Sequence, residues 1–256
     1  MSNKQIQPPG VFAHHRAALT THYAVMPPEG ILPSRIPGIE RTSIHVQASK
    51  GLGAEFVQIL LDIQAHGGMT EPRNEPLQSF FYVIEGDVVL DIAEQRHDLS
   101  AGAFAYVPPG TSFKLHSVTP LGSQVIWIRK AYEQVPGIAL PSARVGHSDD
   151  VEKQNKHTQG RTWQHLLPDD IQFDFAVNIL SFEPGTYFPM IETHVMEHGL
   201  YMLEGQGMYL LQGDWHECWT KDFIYMAPFC PQFFYATGWE TARYLLYKNV
   251  NRDMPL

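Results

Sequence analysis

The chain has 256 residues, of which 44% are apolar and 18% are charged, and its formal net charge is −9. This composition is typical of a folded protein with a sizeable core and excludes a disordered acidic chain. The length allows one large domain or two of ordinary size. The negative charge argues against nucleic acid and against anionic membrane surfaces as partners.

The N-terminus is polar and contains prolines, without the apolar stretch of a secretory signal. No run of about 18 apolar residues occurs along the chain, so we expect no membrane-spanning helix. Cys218 and Cys230 are the two cysteines, too few for a disulfide framework. We therefore expect reduced thiols and a cytoplasmic protein.

The chain repeats itself at an offset of 119 positions. Residues 80–86 (FFYVIEG) fall on residues 199–205 (GLYMLEG), and both contain Tyr-x-x-Glu-Gly. Further on, residues 104–109 (FAYVPP) fall on residues 223–228 (FIYMAP). The offset holds without a gap over about seventy positions, which indicates two homologous halves with the same fold.

Each half has the pattern of short strands separated by Gly and Pro turns. Val57, Ile59, Leu61 and Ile63 alternate with mostly polar neighbours, as in a half-buried strand. Only residues 164–171 have the composition of a helical turn. Strands at regular spacing predict an all-β protein made of barrels or sandwiches.

These patterns give four segments. Residues 1–50 form an extended arm that we expect to add strands to a barrel, and residues 51–133 form the N-terminal barrel. Residues 134–165 are rich in Pro, Gly and polar residues and are interpreted as a linker. Residues 166–256 form the C-terminal barrel.

The second half resembles the cupins, whose two motifs surround a small barrel. The residues that carry this likeness are, in chain order, Pro184, Gly185, Glu192, His194, His198, Gly205, Asp222, Pro228 and Gln232. The likeness implies a bicupin, with two tandem jelly-roll-like β-barrels. It also implies a ligand set of Glu192, His194, His198 and Gln232, where cupins usually have three histidines and a glutamate.

That variant ligand set resembles one narrower family, the (S)-ureidoglycine aminohydrolases. Residues 192–209 (ETHVMEHGLYMLEGQGMY), 229–232 (FCPQ) and 243–253 (RYLLYKNVNRD) carry this resemblance. It implies hydrolytic deamination of (S)-ureidoglycine to (S)-ureidoglycolate and ammonia, in allantoin and purine catabolism. The N-terminal half resembles the family more loosely.

The four candidate ligands make chemical sense together. Glu192 and His194 share one face of a strand, since residues two apart point the same way. Two imidazoles, a carboxylate and an amide oxygen form a mixed nitrogen and oxygen site without thiolates, which suits manganese, iron(II), nickel or zinc better than copper(I). The two oxygen donors favour a harder ion such as manganese(II). An octahedral ion with four protein ligands keeps two positions for substrate or water.

The first half offers no such set. At the 119 offset the ligands fall on Arg73, Glu75, Ser79 and Phe113, which do not form a metal site. His66 and His116 lie nearby in sequence but lack ligand spacing. We therefore expect the first barrel to have kept the fold without the metal, with a structural or interface role.

The family resemblance also implies the residues that bind and convert the substrate. Lys248 is implied as the partner of the substrate carboxylate, and Tyr209 and Tyr244 as hydroxyls in the pocket. The amine of the substrate leaves readily as ammonia only when it is protonated first, so a general acid is needed. Glu192 is the candidate, since a carboxylate ligand has a second oxygen free.

Two other functions fit the same residues. One is another cupin metalloenzyme, a dioxygenase or isomerase that acts on a small carboxylate, since these barrels host many chemistries. The other is a non-catalytic bicupin that binds a small molecule, against which the asymmetry of the halves argues. Under each reading we expect a small-molecule ligand and a homo-oligomer.

Overall fold

A computed structural model describes residues 16–155, 159–250 and 252. Within these residues the regular structure consists of β-strands and short 3₁₀ turns. The strands are β1 (Ala18–Leu19), β2 (Tyr23–Met26), β3 (Ile39–Ala48), β4 (Phe56–Met69), β5 (Leu77–Glu85), β6 (Val88–Ile92), β7 (Gln95–Leu99), β8 (Ala103–Val107), β9 (Phe113–Ser117), β10 (Ser123–Ala131), β11 (Arg144–His147), β12 (Gln154–Asn155), β13 (Arg161–His165), β14 (Phe175–Phe182), β15 (His198–Glu204), β16 (Gln206–Leu211), β17 (Asp214–Trp219), β18 (Phe223–Met226), β19 (Gln232–Tyr235) and β20 (Ala242–Asn249). The 3₁₀ turns span Pro28–Gly30, Lys50–Leu52 and Ser148–Asp150. No helix in this part of the chain is long and apolar enough to cross a bilayer.

Two compact units make up the described chain, and neither is one continuous stretch. The C-terminal unit contains residues 177–249 together with described residues of 1–32 and 153–163. The N-terminal unit contains residues 33–152 and 164–176, with Val250 and Arg252. Each unit has its own cluster of buried apolar side chains.

The C-terminal unit holds two sheets. The larger has the strand order β1-β2-β18-β15-β20-β14-β13-β12, and the smaller has the order β17-β16-β19. The N-terminal unit has the order β11-β8-β5-β10-β4-β9-β6-β7, with β3 paired to β4. The arm predicted for residues 1–50 thus contributes strands to both units, while residues 1–15 lie outside the described part. The predicted linker, residues 134–165, carries β11, β12 and β13.

The internal repeat is visible in the strand register. In the N-terminal unit Ser79 on β5 lies opposite Arg129 on β10, and in the C-terminal unit His198 on β15 lies opposite Lys248 on β20. Both pairs are related by the 119 offset. The two halves therefore share strand order and register at the end of the barrel where the candidate ligands lie.

Each half also turns at the same glycine. Gly86 and Gly205, the last residues of the repeated Tyr-x-x-Glu-Gly, have φ angles of +76° and +71°. A Cβ atom there would lie 2.5 Å from the carbonyl oxygen of Gly122 and 2.6 Å from that of Thr241, respectively. Only glycine meets both conditions without strain, which explains the motif in both halves.

The helical turn predicted for residues 164–171 is wrong. Residues 164–165 complete β13, and the following residues form bends and turns. Gln164 is buried, and its side-chain amide donates to the carbonyl oxygens of Ser148 and Val151 at 2.6 and 2.9 Å. Pro168 supplies no amide hydrogen and disfavours helix before it, so these bonds and the proline outweigh local propensity.

Candidate metal centre

Glu192 and Gln232 face each other across an isolated antiparallel bridge. The Glu192 amide donates to the Gln232 carbonyl oxygen at 2.9 Å, and the Gln232 amide donates back at 2.9 Å. Residues opposed in this way present their side chains to one face. The carboxylate and the amide, which lie 40 positions apart in sequence, thus start from neighbouring points on the same face.

His198 enters the same region from β15. It is buried as the first residue of that strand, opposite Lys248. Two and four residues further on, Leu200 and Met202 lie in the core cluster of the C-terminal unit. Strand alternation therefore points His198 and Lys248 to the inside of the barrel.

Three of the four candidate ligands meet at one point. The Nε2 atoms of His194 and His198 are 3.1 Å apart, and the Nε2 atom of Gln232 lies 2.9 Å from that of His194. The two imidazole rings are nearly perpendicular, with centroids 4.7 Å apart. Ligands that bind one ion at about 2.1 Å and at right angles lie about 3 Å apart, so this spacing suits a shared metal ion.

The electrostatics keep both histidines neutral. The pKa of His198 is lowered to about 3, chiefly by burial and also by the neighbouring His194 and Lys248. Burial also lowers the pKa of His194, although the Glu192 carboxylate acts the other way. Neutral imidazole is the form that binds metal ions, so neither ring must lose a proton before it can serve as a ligand near pH 7.

The amide of Gln232 is oriented by a buried tyrosine. The Tyr209 hydroxyl donates to the Gln232 Oε1 atom at 3.4 Å. An amide binds a metal ion through its oxygen, so the ligand role of Gln232 requires a half-turn of this amide, a rotation that exchanges two nearly equivalent shapes. Burial raises the pKa of Tyr209 and of Tyr244, so both hydroxyls stay protonated.

Glu192 is half-buried beside this group. Among the described residues, no three His, Cys, Asp or Glu side chains are close enough together to hold a metal ion. The two imidazoles and, after its half-turn, the amide of Gln232 fit a divalent ion, and Glu192 has to turn its carboxylate toward them to complete the set. Its charge already acts on His194, Tyr209 and Tyr244.

The equivalent place in the N-terminal unit is filled by ion pairs. Glu75 accepts hydrogen bonds from Arg73 Nε at 2.9 Å and from Arg129 Nη2 at 2.5 Å. Both guanidinium groups lie over the Trp127 ring, 5.8 and 4.6 Å from its centroid. The Trp127 indole donates to the Ser79 hydroxyl at 3.0 Å. Protein cations thus occupy this place.

The structure adds three buried polar residues that the sequence analysis did not single out. Glu197 points to the face opposite His198, with the Tyr225 and Tyr247 hydroxyls 3.4 and 3.5 Å from its carboxylate. Arg161 is 2% exposed and its guanidinium lies 4.9 Å from the Phe188 ring centroid. Asn178 is fully buried. The 119 offset offers a signal for Asn178, since it replaces Ile59 on an apolar strand, whereas nothing in the spacing distinguishes Arg161.

Comparisons with known proteins bear on the fold and the family of this chain. Residues 59–129 match the family model described as a cupin domain, which is the half without the candidate ligands. Protein Ylba from E. coli superposes with a TM-score of 0.87 at 29% identity, over 98% of this chain and 100% of that one. An oxalate decarboxylase from Bacillus subtilis with Mn(II) centers gives a TM-score of 0.70 at 10% identity, over 90% of this chain and 78% of that one, which is a likeness of fold alone. The prediction of an all-β bicupin is confirmed.

A protein related in sequence identifies the family more narrowly than these likenesses of fold. The (S)-ureidoglycine aminohydrolase of Escherichia coli (strain K12) is 32% identical over 240 residues, which cover 92% of this chain and 91% of that protein. The similarity thus extends along both halves and includes the region of the candidate ligands. The chain therefore belongs to the (S)-ureidoglycine aminohydrolase family.

Proposed function

We propose that the chain catalyses metal-dependent hydrolytic deamination of (S)-ureidoglycine to (S)-ureidoglycolate and ammonia. The observation that carries this proposal is the meeting of His194, His198 and Gln232 inside a chain of this family. In the reaction the carbon–nitrogen bond to the amine breaks, and a carbon–oxygen bond to water forms. One proton must move from the water to the departing amine.

His194, His198, Gln232 and Glu192 are the residues that would hold the ion. The donors are nitrogen and oxygen atoms without a thiolate, and this composition supports manganese(II). When bound, such an ion supplies Lewis acidity at the reacting carbon and lowers the pKa of water. The neutral state of both imidazoles makes them ready ligands.

Lys248 would bind the substrate carboxylate. Its side chain shares the inner face with His198 and is half-buried. A cation inside a barrel is stabilised by an anion, and the substrate brings a carboxylate. Direct contact with Lys248 would fix the carboxylate beside the ion and orient the carbon that carries the amine.

Tyr209 and Tyr244 would act as hydrogen-bond donors. Their raised pKa values keep the hydroxyl protons in place near neutral pH, which excludes them as bases in that range. After the half-turn of the Gln232 amide, the Tyr209 hydroxyl oxygen would accept from the Gln232 NH₂ group, so Tyr209 would position a ligand as well as lining the pocket. Tyr244 stacks on Phe182, with ring centroids 5.7 Å apart, and this packing fixes the ring.

Glu192 would move the proton. One carboxylate oxygen can contact the ion, while the other accepts a proton from the water and passes it to the amine. The substitution Glu192→Gln keeps the shape and removes this capacity, so we expect loss of ammonia release with the metal still bound. Full activity at unchanged metal content would contradict the shuttle role.

The proposal extends to the pathway, the assembly and the location of the protein. We propose a place in allantoin and purine catabolism, a homo-oligomer, and a cytoplasmic location, in keeping with two buried cysteines that form no disulfide. Size-exclusion chromatography with light scattering tests the assembly.

The decisive experiment is ammonia release from freshly generated (S)-ureidoglycine, measured with manganese(II) and again after chelation. Fast, stereospecific and metal-dependent release supports the proposal. No release above the spontaneous rate, with the metal shown to be bound, would overturn it and turn attention to oxygen consumption with small carboxylates.

A further inference from the structure

A buried amide lies inside the barrel of the C-terminal unit without a partner. Asn178 is 0% exposed, and neither its Oδ1 nor its Nδ2 atom has a hydrogen-bond partner in the part of the chain that the structure describes. Leu180 and Phe182, two and four residues further along β14, belong to the core cluster. Strand alternation therefore directs Asn178 into the same interior.

The internal repeat locates this amide relative to the candidate site. In the N-terminal unit Ile59 on β4 lies opposite Trp127 on β10. The 119 offset converts this pair into Asn178 and Leu246, and β14 is the neighbour of β20 in the sheet. Lys248 and Tyr244 lie two residues to either side of Leu246, with their side chains on the same face.

The contrast with Ile59 shows that the fold does not need an amide here. Ile59 is buried at 1% exposure and packs in the N-terminal core. A buried amide without partners is destabilising relative to a paired one. The amide thus carries a cost that an aliphatic side chain avoids, and a ligand with matching groups would remove it.

We propose that Asn178 recognises the ureido group of the substrate, an assignment that rests on the proposed function. The terminal end of a ureido group is a carbonyl next to an NH₂ group. The Asn178 Nδ2–H donates to that carbonyl, and the Asn178 Oδ1 accepts from that NH₂. With Lys248 on the carboxylate, the two ends of the substrate are held from neighbouring strands. Asn178 is on β14, and Lys248 on β20 is two residues from Leu246, the expected neighbour of Asn178.

Two stable compounds isolate this contact. Hydantoate carries the ureido group and a carboxylate, and N-acetylglycine replaces its terminal NH₂ with a methyl group. Calorimetric titration of the full-length, manganese-loaded protein gives both affinities. We expect hydantoate to bind the native protein at least about tenfold more tightly, because the methyl group leaves the Oδ1 atom unpaired.

The variant Asn178→Leu should bring the two affinities within about twofold of each other, because leucine has no acceptor with which to distinguish the NH₂ group of hydantoate from the methyl group of N-acetylglycine. It should raise KM for (S)-ureidoglycine more than it lowers kcat. Ser181→Ala is the matched control, since Ser181 on the same strand faces the other way and its hydroxyl also lacks a partner among the described residues. This control should keep the native preference.

Each result decides the proposal. No preference for hydantoate in the native protein, or a preference that survives in Asn178→Leu at unchanged metal content and melting temperature, overturns it. Absence of ammonia release from the native protein with the preference intact contradicts the proposed function instead, and leaves the recognition of the ureido group standing.

Discussion

The two units fill the same place in the same barrel in opposite ways. In the C-terminal unit two neutral imidazoles and an amide meet at His198, which lies opposite Lys248, with the Glu192 carboxylate nearby. In the N-terminal unit two arginines close around Glu75 and stack on Trp127. Strand register is shared, so a handful of side chains separates the candidate metal site from a cluster of ion pairs.

The largest expected effect comes from removing a ligand. His198→Ala deletes one of the two imidazoles, so bound metal should fall and ammonia release should drop about a thousandfold or more. Metal analysis of the purified variant measures the first effect. Ser79→Ala, at the equivalent position of the N-terminal unit, should leave metal content and activity as they are. Equal effects of the two changes would contradict the asymmetry.

Loss of the inner cation should come next. Lys248→Met should lower kcat/KM about a hundredfold, mainly through KM, because the carboxylate loses a charged hydrogen bond. Arg243→Met is the control on the same strand, since Arg243 faces outward and pairs with Glu204. If both variants keep native kcat/KM, Lys248 does not bind the carboxylate.

A smaller change is expected from a single hydroxyl. Tyr244→Phe should lower kcat/KM about tenfold, the usual effect of one lost hydrogen bond in a buried site. Tyr201→Phe removes a buried hydroxyl from the outward face of the neighbouring strand and should leave kinetics unchanged. Steady-state kinetics of both variants distinguishes a pocket role from simple packing.

The smallest effect concerns the ion pairs of Glu75 with Arg73 and Arg129, here called the N-terminal cluster, and it appears in stability alone. Glu75→Gln leaves two partly buried guanidinium groups without their carboxylate, and should lower the free energy of unfolding by about 2 kcal/mol. Asp98→Asn, which breaks the exposed Arg96–Asp98 pair, should cost about 0.5 kcal/mol or less. Denaturant unfolding measures both. Equal small effects would mean that the N-terminal cluster contributes nothing to folding.

Much of this contrast could be predicted from the sequence, because one unbroken offset relates both halves. The offset relates Glu192 to Arg73 and Gln232 to Phe113. In the structure Glu192 is bridged to Gln232, and Arg73 is bridged to Phe113 in the same way. The offset could not show that Arg129 reaches Glu75, because that contact depends on side-chain conformation. Nor could local composition foresee the course of residues 164–171, where side-chain bonds to distant carbonyl groups replace helical ones.

The pairing of β2 with β18 has a consequence for biosynthesis. Tyr23–Met26 is an apolar strand whose partner, Phe223–Met226, is made about 200 residues later. At about 5–20 residues per second, the ribosome takes about 10–40 s to deliver that partner. During this interval one edge of β2 has no partner, while β1 on its other edge is already made. Slow translation therefore prolongs the exposure of this segment to chaperones and proteases, even though both strands are firmly held in the finished protein.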